Sequence, residues 1–131
     1  MKSLIAEDDF VSRKILQDVL SKYGESNVAI DGEEALQAFK DAFENNAPYD
    51  LVCLDIMMPI MDGRDTLRNI RAYEDKKGVE GLDRTKVIMT TAVDDPKSII
   101  GAFREQCEYY MVKPIKIAEF TENLKELKLI E

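Results

Sequence analysis

The residues of this 131-residue chain best suited to chemistry are charges that directly follow short apolar runs. Glu7-Asp8 follow Leu4-Ile5-Ala6, Asp55 follows Leu51-Val52-Cys53-Leu54, and Lys113 follows Tyr109-Tyr110-Met111-Val112. The runs are too short for helices and rich in residues that suit buried strands. Parallel strands in one sheet would bring their carboxyl ends to a shared edge, where ligands bind in open α/β folds. Three carboxylates gathered there repel one another by about 4 kcal/mol per pair at roughly 4 Å and an effective dielectric near 20, so they need a cation. An all-oxygen donor set in a chain without histidine favours Mg²⁺ over zinc. Such a metal would screen an incoming phosphoryl group while Asp55 attacks phosphorus as a carboxylate nucleophile. Lys113 would neutralise a second phosphoryl oxygen, and Thr91, at the end of a fourth apolar run, would hydrogen-bond a third.

Composition narrows the chemistry further. A net charge of −8 disfavours nucleic acid and anionic lipid, because a phosphate backbone is repelled at long range. The absence of histidine removes Ser-His-Asp and Cys-His nucleophiles and any role as a phosphohistidine donor. Cys53 and Cys107 match neither a disulfide framework nor a CxxC motif and read as buried, reduced thiols. No apolar stretch is long enough for a signal peptide or a membrane span, so the expected location is cytoplasmic, with no membrane partner. The length fits one domain, residues 1–131, able to bury roughly two-thirds of the surface an unfolded chain exposes.

The elements that must position these residues alternate along the chain. Asp9 can cap a helix carrying Ile15, Leu16, Val19, Leu20 and Tyr23, stopped by Gly24. Ser26 to Ile30 reads as a second strand. Asp31-Gly32 opens a helix with Ala35, Leu36, Phe39, Ala42 and Phe43 on one face, ended by Asn45-Asn46 and Pro48. After the third strand, Asp62-Gly63 opens a helix with Leu67 and Ile70 inward, the Asp as its cap and the Gly permitting a tight turn. That helix fades into a polar loop from Glu74 to Arg84. Lys86 to Thr90 is a fourth strand, Pro96 starts a fourth helix with Ile99, Ile100 and Phe103, and a last helix presents Ile117, Phe120, Leu124 and Leu127. Five strands alternating with helices predict a doubly wound α/β sandwich around a parallel five-stranded sheet. The common flavodoxin-like order 2-1-3-4-5 sets strands one and three side by side, so Glu7-Asp8 and Asp55 converge.

The segments LIAEDD, LDIMMPIMDG, VIMTTA and YYMVKPI, in this order and spacing, resemble the CheY-like receiver domains of two-component response regulators over essentially the whole chain. The resemblance implies that Asp55 is the phosphoacceptor, that Asp8 ligates Mg²⁺ directly, and that Glu7 acts largely through metal-bound water. Met57 would lend its backbone carbonyl to the metal, and Lys113, before a cis Pro114, would salt-bridge the phosphoryl group. Thr91 and Tyr110 would form a switch pair that alters the surface of the fourth helix, fifth strand and fifth helix. On the residues alone Thr91 also suits a turn cap and Tyr110 a core position. The resemblance further implies a switch that catalyses its own phosphorylation and dephosphorylation, rather than an enzyme acting on other substrates. Its donor would be a sensor histidine kinase or a histidine phosphotransfer protein. With no residues after the last helix for an output domain, the expected downstream target is another protein, reached by a monomer or a phosphorylation-dependent dimer.

Departures from the family pattern also carry expectations. Met57 and Val93 are apolar where some fast-hydrolysing relatives carry polar groups, which predicts slow self-dephosphorylation. Cys107 and Glu108 stand where small residues and glycine are frequent, so the approach to the fifth strand is expected to differ. A Mg²⁺-dependent phosphatase with an aspartyl-phosphate intermediate would carry a second aspartate where Met57 stands. A flavodoxin-like cofactor binder would need a phosphate-cradling loop where Glu7-Asp8-Asp9 stands, and those acids repel phosphate.

Overall fold

The computed structural model describes residues 1–92 and 106–131. The elements are β1 (Ser3–Ala6), α1 (Phe10–Leu20), β2 (Ser26–Ala29), α2 (Gly32–Glu44), β3 (Leu51–Asp55), α3 (Gly63–Lys76), a 3-10 turn (Gly81–Asp83), β4 (Lys86–Thr91), β5 (Tyr109–Val112) and a C-terminal helix (Ile117–Glu126). The expected fourth helix from Pro96, with Ile99, Ile100 and Phe103, and the position of Val93 lie outside the described residues. The sheet has five parallel strands in the order β2-β1-β3-β4-β5, as expected for the flavodoxin-like arrangement.

Side chains alternate across the strands and sort into two cores. Leu4, Ala6, Val52, Leu54, Val87 and Met89 meet the buried faces of α2 and α3, including Phe39, Leu67 and Ile70. Ile5, Leu51, Cys53, Ile88 and Met111 meet Leu16, Val19 and Leu20 of α1 and Phe120 and Leu124 of the C-terminal helix. Each fully buried Leu or Ile in these layers contributes about 1.5–3 kcal/mol of transfer free energy. The starts of α1, α2 and α3 are fixed by aspartates. Asp9, Asp31 and Asp62 accept the N–H groups of Ser12, Glu34 and Arg64 at 3.1, 2.7 and 2.7 Å. Among the described residues no helix is long and apolar enough to cross a membrane.

Several expectations need correction. Helix α1 ends at Leu20, leaving Tyr23 in the following turn and exposed. Ile117 begins the C-terminal helix 56% exposed rather than facing inward. Glu74 belongs to α3 and is buried, because Arg71, one helical turn earlier, donates to it at 2.7 Å and the Thr85 N–H donates to its other oxygen at 2.8 Å. Gly63 serves a close approach rather than a tight turn. A Cβ there would lie 2.1 Å from the Asp55 carbonyl oxygen.

Candidate functional site

Strand register builds the site. Ala6 pairs with Leu54, so Glu7 and Asp55 leave neighbouring strands side by side, and Thr91 pairs with Val112, so Lys113 follows at the same edge. Glu7 and Thr91 are fully buried, Asp55 is 3% exposed, and Asp8 faces solvent. The Lys113 amide donates to the Thr91 carbonyl at 2.7 Å, and the Lys113–Pro114 peptide is cis. Tyr110 lies on β5 opposite Met89, half-buried against the α2–α3 side of the core.

The Lys113 ammonium joins the two buried acids. Its Nζ donates to Asp55 Oδ2 at 3.1 Å and to Glu7 Oε2 at 3.0 Å. Glu7 Oε2 also accepts the Asp9 N–H at 3.2 Å, while Oε1, though 2.9 Å from Nζ, makes no well-directed hydrogen bond among the described residues. The Met57 N–H donates to Asp55 Oδ1 at 3.2 Å, so both oxygens of that carboxylate are oriented. The Gly63 N–H donates to the Ile56 carbonyl at 2.9 Å and draws the start of α3 against the end of β3.

Burial, followed by a hydrogen bond shared with Asp55, pushes the Glu7 carboxyl up to about 7 against the pull of Lys113. Burial alone would lower the Lys113 ammonium, but Glu7 and Asp55 together hold it above its ordinary value. Cys53 is a free thiol pushed up by complete burial and then by Glu7, consistent with a reduced core residue.

Carboxylate oxygens of Glu7, Asp8 and Asp55 lie within 4.8 Å of one another. Hard oxygen donors, one of them buried without a well-directed partner, fit a divalent cation such as Mg²⁺. The groove of about 390 Å³ lined by Phe39, Tyr49, Arg84 and Lys86 lies at the opposite edge of the sheet and includes none of these acids.

Sequence reasoning placed Glu7, Asp8, Asp55, Thr91 and Lys113 at this edge, and the structure brings them together there. It missed Arg13, whose guanidinium donates to the carbonyls of Glu7 at 3.2 Å and Asp8 at 3.5 Å. The available signal was a cation one helical turn past the cap Asp9, on the helix that follows the acidic pair.

Comparisons with known proteins agree with the fold. The chain is 35% identical over 129 residues to chemotaxis protein CheY-3 of Vibrio cholerae, covering 97% of this chain and 91% of that protein. It is 32% identical over 124 residues to regulatory protein VanRB of Enterococcus faecalis, covering 95% of this chain but spanning only 50% of that protein's length. A solved CheX-CheY-BeF3-Mg complex from Borrelia burgdorferi is similar with a TM-score of 0.77 and 26% identity, covering 100% of this chain and 90% of that one. The response regulator receiver domain model matches residues 3–125, and the chain belongs to that family of two-component signalling domains.

Proposed function

We propose that this receiver accepts a phosphoryl group on Asp55 from a phosphohistidine of a sensor kinase or histidine phosphotransfer protein, with Mg²⁺ held by Glu7, Asp8, Asp55 and the Met57 carbonyl. One observation carries the reading: the oriented, buried Asp55 carboxylate lies within hydrogen-bond reach of Lys113 and shares its edge with two further acids. The bound cation would supply charge neutralisation for phosphoryl oxygens. The similar Borrelia burgdorferi complex, which contains BeF3 and Mg, supports that choice.

In the proposed transfer, an Asp55 oxygen forms a bond to phosphorus as the P–N bond to the donor imidazole breaks, and the electron pair stays on that nitrogen. Lys113 is placed to follow the charge from the carboxylate to the new phosphoryl oxygens. Thr91, at the end of the neighbouring strand, would hydrogen-bond the product. Of two pre-existing arrangements, phosphorylation would favour the one in which Thr91 and Lys113 bond the phosphoryl group best. Tyr110 would then reorient and change the surface formed by β5 and the C-terminal helix. The protein thus catalyses its own modification and signals to a protein target.

The test is incubation of wild type and Asp55→Ala with Mg²⁺ and acetyl phosphate, followed by intact mass measurement. A phosphoryl adduct on wild type alone is expected. Equal labelling of both proteins, or labelling of neither, would overturn the assignment.

A further inference from the structure

β5 is an edge strand of four residues in which only Met111 is buried, so the hydrophobic pattern that sets register in β1, β3 and β4 is weak here. Register matters because Lys113 follows β5 directly. A slip of one residue moves the chain about 3.3 Å along the strand, as large as the 3.1 Å separation of Lys113 Nζ from Asp55 Oδ2.

At the other end of β5, Glu108 engages both backbone groups of Val87. Its N–H donates to the Val87 carbonyl at 2.9 Å, and its Oε2 accepts the Val87 N–H at 2.6 Å. Arg71 of α3 holds that carboxylate from behind, with Nη2 at 3.2 Å from Oε2. The same guanidinium donates to the Gln106 carbonyl at 2.7 Å and the Thr85 carbonyl at 2.9 Å. Helix α3 is thereby tied to the segments that enter β4 and β5.

We infer that Glu108 is a positioning residue: it pins the register of β5 on β4 and so holds Lys113 against Asp55 and Glu7. The decisive feature is reach rather than charge. Aspartate keeps the charge but is about 1.5 Å shorter and loses the Val87 N–H, whereas glutamine keeps the reach and an acceptor oxygen.

Backbone amide exchange of the full chain, followed by NMR for wild type, Glu108→Gln and Glu108→Asp, tests this directly. In Glu108→Asp the Val87 and Lys113 amides should exchange about tenfold faster while those of Leu4 to Ala6 keep their wild-type rates, and Glu108→Gln should stay within about twofold of wild type. Unchanged Lys113 exchange in Glu108→Asp overturns the inference, as does equal acceleration in β1 or a glutamine variant that behaves like the aspartate one. A second arm rests on Asp55 as phosphoacceptor. Glu108→Asp should slow labelling by acetyl phosphate and Mg²⁺ about tenfold, and cause no further slowing when Lys113→Ala is already present. Equal slowing in both backgrounds would show that Glu108 acts by another route. Absence of label on wild-type Asp55 would sink the phosphoacceptor reading, leaving the exchange result to decide the role of Glu108.

Discussion

Lys113 Nζ stands 3.1 Å from Asp55 Oδ2, although the two residues are 58 positions apart in the chain, and the same ammonium reaches Glu7. One cation therefore serves two buried carboxylates. Removing one partner of a buried ion pair typically costs about 3–5 kcal/mol, because the remaining charge is stranded. Lys113→Ala should accordingly lower stability by about 3 kcal/mol in urea unfolding without divalent cation, and millimolar Mg²⁺ should restore part of the loss by binding the folded state. Mg²⁺ should also bind the variant more tightly than wild type in calorimetric titration, since the competing ammonium is gone. Weaker binding would show that Lys113 organises the acids rather than competing for them.

The raised Glu7 carboxyl predicts a pH dependence. Its folded value of about 7 lies above the ordinary 4.5, so between these values the folded chain holds a proton that the unfolded chain has released. This group therefore contributes less stability as pH rises through that window, by up to about 3 kcal/mol above pH 7. Urea unfolding without Mg²⁺ should show the decline, and Glu7→Gln should flatten it. Mg²⁺ affinity should move the other way, rising with pH as the carboxylate becomes available. A flat stability profile for wild type would remove the assignment of a raised value to Glu7.

Gly63→Ala tests the contact between the start of α3 and the end of β3. The new Cβ would meet backbone atoms of Asp55 and Ile56, with the carbonyl oxygen of Asp55 at 2.1 Å, and backbone cannot swing aside as a flexible side chain can. Overpacking of this kind costs about 1–3 kcal/mol. Because the displaced atoms belong to Asp55, the acetyl phosphate labelling rate should fall along with the unfolding midpoint. A variant with wild-type stability and labelling would show that the contact relaxes freely.

Much of this arrangement was legible because strands carry their side-chain order directly in sequence. The apolar runs before Glu7, Asp55 and Lys113 fixed both the elements and the edge at which the charges emerge. Glu74 was not legible in that way, since it opens a polar stretch that reads as a loop, and the sequence around Arg71 and Glu108 does not show that the two meet. Their contacts depend on three segments meeting: α3, the entry to β4 and the entry to β5. Asp62-Gly63 marks a helix start in the sequence, but the need for Gly63 lies in a backbone approach across elements that local turn chemistry does not encode.

Arg71→Met measures how much that hidden network contributes. The Arg71 and Glu74 side chains are 9% and 2% exposed, so the pair lies outside the regime in which solvent screens surface ion pairs. The substitution keeps much of the apolar stem and removes the guanidinium, leaving Glu74 and Glu108 without their cation. A loss of about 3–5 kcal/mol is expected in urea unfolding. A loss below about 1 kcal/mol would place the network among interactions that orient the chain without stabilising it.

Met57 offers the last test, because the expected slow self-dephosphorylation rests on its apolar side chain. The residue is 61% exposed, two positions past Asp55, and its backbone N–H already orients the Asp55 carboxylate. A thioether is a weak acceptor and no donor, so it cannot align a water for attack on phosphorus or take that water's proton. Phosphorylated wild type in Mg²⁺ should therefore decay slowly once the phosphodonor is removed. Met57→Asn presents an amide at the same exposed position, keeps the backbone contact, and should shorten the lifetime about tenfold, at the modest end of what a positioned polar group contributes. Intact mass measured over time gives both rates. Rapid decay of wild type, or identical decay of the two proteins, would mean that the attacking water is oriented by another group and that the apolar character of position 57 does not set the duration of the signal.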